Sequence, residues 1–154
     1  MHGRTGAARM IVPDANLILY AHNVADPDHH AAREWWERLL RSPEPVGIPI
    51  VVVLAFLRLS TSPRVLRSPL SAAESARRID AWFTAPAVSL LNPGRDHIRV
   101  FLDLVQRTGV AGNLTTDAQI AALAIEHHAV VHSSDHDFGR FPGLRWLNPL
   151  GKTC

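Results

Sequence analysis

Four aspartates carry the chemistry open to this chain. Asp14 follows the short apolar run 10–13, Asp117 opens an apolar helical pattern after Leu114-Thr115-Thr116, and Asp135 and Asp137 lie just past the run Val130-Val131. In an open α/β sheet, acids at strand C-termini face the crevice where such folds bind ligands. Each also has an ordinary structural use: Asp14 as a helix cap, Asp117 as a charge favoured by a helix N-terminus, Asp135 and Asp137 as turn formers. Convergence would give them a different meaning, because four carboxylates drawn from three chain segments raise one another's pKa unless a cation neutralises them. Hard oxygen donors without thiols favour Mg²⁺ or Mn²⁺ over zinc. A divalent ion so held lowers the pKa of a bound water and offsets charge on a phosphate, which is the chemistry of phosphodiester hydrolysis.

The elements that must position these acids emerge from periodicity. A first strand at 10–13 leads into a helix over 15–22, and the Asp26-Pro27-Asp28 turn into a helix over about 30–41. There Ala32, Trp35, Trp36, Leu39 and Leu40 form the apolar stripe, while Glu34 with Arg38 and Glu37 with Arg41 stand at i,i+4 spacing. The proline-rich segment 42–49 reads as a connection with at most a short strand. The run 50–59 is apolar almost all round and reads as a central helix or strand buried on most faces, with the helix favoured by Val53, Leu54 and Leu57 at helical spacing. Ser71 with Glu74 forms a capping box for a helix through 83, and 88–91 is a short strand. A helix over about 95–108 places Ile98, Phe101, Leu102 and Val105 inward, with Gly109 as its stop signal. Thr116 with Gln119 reads as a second capping box for a helix through 128, and 143–147 as a last strand. Strands alternating with helices imply a mainly parallel sheet covered on both faces, an α/β/α arrangement.

At 154 residues and 47% hydrophobic content the chain fits one domain over 10–150, with a flexible or added segment at 1–9 and a tail at 151–154. The one cysteine, Cys154, excludes a disulfide framework and a thiolate zinc site. The longest near-apolar stretch, 46–57, is short of the ~20 residues a membrane span requires. The expectation is a cytoplasmic protein with no membrane partner. Of the sixteen basic residues only Lys152 is lysine; the rest are arginine, whose planar fork suits phosphate.

Three stretches resemble PIN domains, and specifically the VapC toxins of bacterial toxin-antitoxin pairs. They are Val12-Pro13-Asp14-Ala15-Asn16, Asn113-Leu114-Thr115-Thr116-Asp117-Ala118, and Ser134-Asp135-His136-Asp137-Phe138-Gly139-Arg140-Phe141-Pro142-Gly143-Leu144. The likeness runs from about residue 10 to 150. It implies a PIN-like fold and a Mg²⁺-dependent endoribonuclease leaving a 5'-phosphate and a 3'-hydroxyl. It also implies a VapB-type antitoxin as partner, RNA as substrate and a homodimer. Asp14, Asp117 and Asp135 match the family's metal-binding aspartates, with Asp137 as a supporting acid and Asn16, Arg58 and Ser134 as substrate or support positions. One departure stands out: family members usually carry a glutamate where Val53-Leu54-Ala55-Phe56-Leu57-Arg58 places Ala55, and no acid lies between Glu44 and Glu74 to replace it. The expected consequence is weakened activity, or an inactive PIN domain that binds RNA or an antitoxin.

Other readings are weaker. His22, His29 and His30 lack a second cluster at zinc-ligand spacing. His127 and His128 end a helix, and His136 reads as a solvent-facing turn residue. Trp35 and Trp36 could stack on bases, but at helical spacing burial is expected instead. A receiver-like or phosphatase-like domain would usually place a lysine near its acids, and Lys152 lies in the tail.

Overall fold

A computed structural model describes residues 9–109 and 112–151. Its centre is a five-stranded parallel sheet of β1 (Ile11–Pro13), β2 (Val46–Pro49), β3 (Val88–Leu91), β4 (Val130–His132) and β5 (Arg145–Leu147), in the order β3-β2-β1-β4-β5. The chain builds outward from β1 to β3, then returns to start again at β4. The order therefore reverses between β1 and β4, the kind of switch point where α/β sheets open a crevice. Register pairs Ile11 with Val130, Val12 with Val131 and Pro13 with His132, so both strands end side by side. Asp14 and the 133–137 segment, which leave those strand ends, must therefore meet there.

Six helices flank the sheet in an α/β/α arrangement: α1 (Ala15–His22), α2 (His29–Arg41), α3 (Ile50–Ser60), α4 (Ala72–Trp82), α5 (His97–Thr108) and α6 (Thr115–Glu126). Helix α1 packs on α2 and α3, α3 on α4, and α5 on α6. Val12, Val46, Ile48 and Val131 have no exposure, as expected for strands covered on both faces. The segment 42–49 thus supplies a central strand despite its prolines. Pro49 closes β2 and stands at the N-cap position of α3.

The Ser71–Glu74 capping box forms, with Glu74 N–H donating to Ser71 Oγ at 3.1 Å and Ser71 N–H to Glu74 Oε1 at 3.3 Å. Gly109 ends α5 in the left-handed conformation at φ 69°, where a glycine avoids the cost other residues meet. Elsewhere the expectations need correction. The Thr116–Gln119 box does not form: a 3-10 turn at Gly112–Leu114 runs straight into α6, Leu114 takes the N-cap position, and Thr116 is already helical. That helix ends at Glu126, where His128 at φ 54° and the Ala129 N–H to Ala124 carbonyl bond make a Schellman-type stop. On α5 the buried positions are His97 and Leu104, while Ile98 and Leu102 are exposed. Helix α3 buries Val52, Phe56 and Ser60 but leaves Ile50 and Leu54 in solvent, so it is covered on one side only. On α2, Glu37 pairs with Arg33 at 2.9 Å and Glu34 with His30 at 3.7 Å rather than with Arg41 and Arg38.

Candidate active site

The ends of β1 and β4 are tied together at Asp14. Its backbone N–H donates to the His132 carbonyl at 2.9 Å, continuing the ladder one step beyond the strands. Asp14 occupies the N-cap position of α1, yet its side chain makes no capping hydrogen bond. Instead Asp14 Oδ2 accepts from Ser133 Oγ at 2.7 Å. Ser133 is fully buried, and its Oγ also accepts from the Asp135 backbone N–H at 2.9 Å. Asp135 Oδ1 in turn accepts from the Asp137 N–H at 2.9 Å, opening a 3-10 turn over His136–Arg140. One hydroxyl thus links the Asp14 carboxylate to the backbone that sets Asp135 and Asp137. Two indoles brace the same strand end: Trp146 Nε1 donates to the Ser133 carbonyl at 2.9 Å and Trp35 Nε1 to His132 Nδ1 at 3.0 Å.

The electrostatics show that the acids share a field. Burial pushes the Asp14 carboxyl above the usual range and nearby Asp135 adds to this, while the Ser133 hydroxyl and the Ala15 N–H pull it back. Asp117, in the first turn of α6, is raised to about 7 by burial and then by the negative charges of Asp14, Asp135 and Asp137. Like charges held this close keep one another protonated. Tyr20 responds too: burial and the charges of Asp26, Asp28 and Asp14 raise its phenol, and a hydrogen bond with Ser134 opposes them. His132 is driven down to about 4 by burial, so its ring is neutral near pH 7 and able to accept the Trp35 N–H. Among the described residues, no three histidine, cysteine, aspartate or glutamate side chains stand close enough to cage a metal ion as they are.

Asp117 thus feels the charges of Asp14, Asp135 and Asp137, and Asp14 feels that of Asp135. Asp137 pairs with Arg140 at 3.3 Å. Asn16 is exposed on the first turn of α1, and Arg58 is exposed on the last turn of α3. Ala55 is half-buried on α3 and packs against the core. Trp35 and Trp36 are buried, which removes them as base-stacking platforms. His136 is exposed and meets Trp146 edge-on at 5.6 Å. Sequence reasoning singled out Ser134, whereas the hydroxyl that touches Asp14 belongs to Ser133. The available signal was its spacing, a serine two residues before an aspartate just past a buried strand, which suits a side chain-to-backbone turn. Tyr20 was also missed; at the end of a short apolar helix it reads as core.

Comparison with known proteins agrees with this geometry. The PIN domain family model matches residues 11–144. The chain is 42% identical to Ribonuclease VapC33 of Mycobacterium tuberculosis over 141 residues, covering 92% of this chain and 99% of that protein. Ribonuclease VapC37 of the same organism is 37% identical over 140 residues, 91% and 97% of the two chains. The chain belongs to the PIN-domain family, within its VapC ribonucleases. Among solved structures, the fold is similar to VapBC2 from Rickettsia felis bound to a promoter DNA fragment, with a TM-score of 0.66, 18% identity and coverage of 90% and 98%. It is likewise similar to Mycobacterium tuberculosis VapC20, a sarcin-ricin-loop-cleaving toxin, with a TM-score of 0.62, 19% identity and coverage of 88% and 98%. No helix among the described residues is long and apolar enough to cross a membrane.

Proposed function

We propose that this VapC ribonuclease is a divalent-metal-dependent endoribonuclease toxin that hydrolyses RNA phosphodiester bonds and is silenced by a VapB-type antitoxin. The observation that carries the metal reading is Asp117: its carboxyl is pushed to about 7 by burial and by three other aspartates at the sheet's switch point. An all-oxygen donor set of this charge fits Mg²⁺, or Mn²⁺ as the alternative hard cation. Asp14, Asp117 and Asp135 would hold it, and when bound it supplies a nucleophilic water and offsets charge on the phosphate. Ser133 aims Asp14 and opposes the upward push of burial on its carboxyl, because a hydrogen bond to the charged form favours that form. Asp137 is the supporting acid. Asn16, Arg58 and Ser134 flank the strand path, and arginine contacts to the RNA backbone make binding weaken between low and physiological salt. The antitoxin reading is supported by neighbours solved as VapBC complexes, and homodimer formation by the exposed Ile98 and Leu102 on α5.

Ala55 favours a second reading, a PIN domain that binds RNA or antitoxin without cutting. Cleavage of single-stranded RNA with and without Mg²⁺, with Asp14→Asn as control, separates the two. Metal-dependent cleavage lost in the variant supports the nuclease, and RNA binding without cleavage supports the module. Ala55→Glu is expected to raise cleavage by about 10 to 100-fold, the span that supporting groups around a metal command. Equal rates in both forms would remove the role assigned to that position.

A further inference from the structure

At the far end of α1 from Asp14, a cavity of about 430 Å³ opens between α1, α2 and α4, lined among others by His22, Arg33, Trp36, Glu37, Arg78 and Trp82. Its volume is within the usual range for a small-ligand pocket. Its walls are held by ring packing: His22 meets Phe56 edge-on at 5.2 Å, Phe56 meets Trp82 at 4.7 Å, and Trp36 meets Trp82 at 5.6 Å. Such contacts fix ring orientation and so fix where the polar edges point.

Hydrogen-bond accounting around the cavity leaves donors over. Trp82 Nε1 donates to His22 Nε2 at 3.3 Å, while Arg78 Nη1 faces His22 Nδ1 at 3.1 Å. An indole and a guanidinium only donate, and a neutral imidazole offers one acceptor nitrogen. Burial, then the charges of Arg78 and His29, drive His22 down to about 4, so the ring is neutral near pH 7. Whichever ring nitrogen carries the proton, one of these two donors faces an N–H instead of an acceptor. Trp36 Nε1, on a residue only 3% exposed, has no hydrogen-bond partner among the described residues and is closed off from the cavity's solvent, so Trp36 offers the cavity its ring rather than its N–H. The one carboxylate on the wall, Glu37, is engaged by Arg33 at 2.9 Å, and among the described residues no carboxylate pairs with Arg78. Unmet buried donors cost stability, and a charged acceptor satisfies several at once.

We propose that this cavity is a binding site for a carboxylate carried on an apolar stem, the carboxylate meeting Arg78 beside His22 and the stem lying against the aromatic wall of Trp36 and Trp82. The site is separate from the aspartate cluster and does not depend on the nuclease reading. Hexanoate is the probe, with 1-hexanol and hexylammonium as controls, followed through the indole N–H resonances of Trp36 and Trp82. The expected result is a saturable shift of the Trp36 signal with hexanoate, at least about tenfold tighter than either control. Arg78→Met should weaken hexanoate about tenfold or more, and Arg78→Lys should recover part of the loss, both checked for folding by circular dichroism. A blocked Leu-Glu dipeptide competing better than hexanoate would assign the carboxylate to a protein side chain; weaker competition would assign it to a free acid. Equal binding of hexanoate and hexanol, or full hexanoate affinity in a folded Arg78→Met variant, would overturn the proposal.

Discussion

The two ends of helix α1 carry opposite polar surpluses. At its N-terminal end, one buried hydroxyl ties the Asp14 carboxylate to the backbone of Asp135, and the charges of Asp14, Asp135 and Asp137 help raise the Asp117 carboxyl to about 7. At its C-terminal end, eight residues or about 12 Å along the axis, Arg78 and Trp82 share the one acceptor nitrogen of His22. Between them the residues Leu17, Ile18 and Leu19 are buried and ordinary. Since native cores satisfy nearly all their polar groups, a surplus of one kind points to what the polypeptide does not itself supply. In the two proposals made above, the first end takes a cation and the second an anion. One physical rule, acting with opposite sign, separates two sites on one short helix.

The largest effect should come from breaking the acidic end. Asp14→Asn removes a buried charge at the meeting point of β1 and β4 and should lower Mg²⁺-dependent RNA cleavage by at least about 100-fold while circular dichroism stays unchanged. Arg78→Met, at the donor-rich end, should leave cleavage untouched; parallel losses in both would mean the ends are not independent. Ser133→Ala comes next. It takes away the hydrogen bond that lowers Asp14, so metal affinity should fall about 10 to 100-fold and the acid limb of the pH–rate profile should move to higher pH. A rate loss without that movement would reduce Ser133 to packing.

The smallest effect is on stability, and it has a definite sign. Asp117 is raised from 3.8 to about 7, so between those values the folded chain holds a proton that the unfolded chain has lost, and stability falls as pH rises through the window. His22 and His132 are lowered from 6.5 to about 4, so they act oppositely, and their contribution is lost as pH falls from 6.5 toward 4. In the metal-free protein, Asp117→Asn should therefore make melting temperature climb more steeply between pH 4 and 7. Because the carboxyl is partly exposed and screened, the gain near pH 7 should be about 1 to 2 kcal/mol, or a few degrees. An unchanged slope would mean that Asp117 does not feel its neighbours.

Much of this was legible in the sequence because it depends on local pattern. Short apolar runs ending in Asp14 and before Ser133 gave the two central strands, and Gly109 and the Ser71–Glu74 box gave helix ends. The four acids stood out because each comes after such a run or opens a helix. What escaped depends on tertiary geometry. Ser133 and Asp14 are 119 positions apart and meet only through the β1–β4 register. Nothing local distinguishes Ile98 and Leu102, left in solvent, from Leu104, which is buried. The donor surplus joins His22 on α1 to Arg78 and Trp82 on α4, and each residue in it reads alone as an ordinary core aromatic or surface arginine.

The central claim is that the aspartates tolerate one another only by gripping a divalent ion, and that they surrender a proton to do so. Calorimetric titration of Mn²⁺ at pH 6.5, in two buffers of different ionisation enthalpy, measures both the affinity and the protons released. The predicted result is saturable binding with close to one proton released per ion, reduced in Asp117→Asn. Binding without proton release, or no binding at millimolar metal, would contradict it.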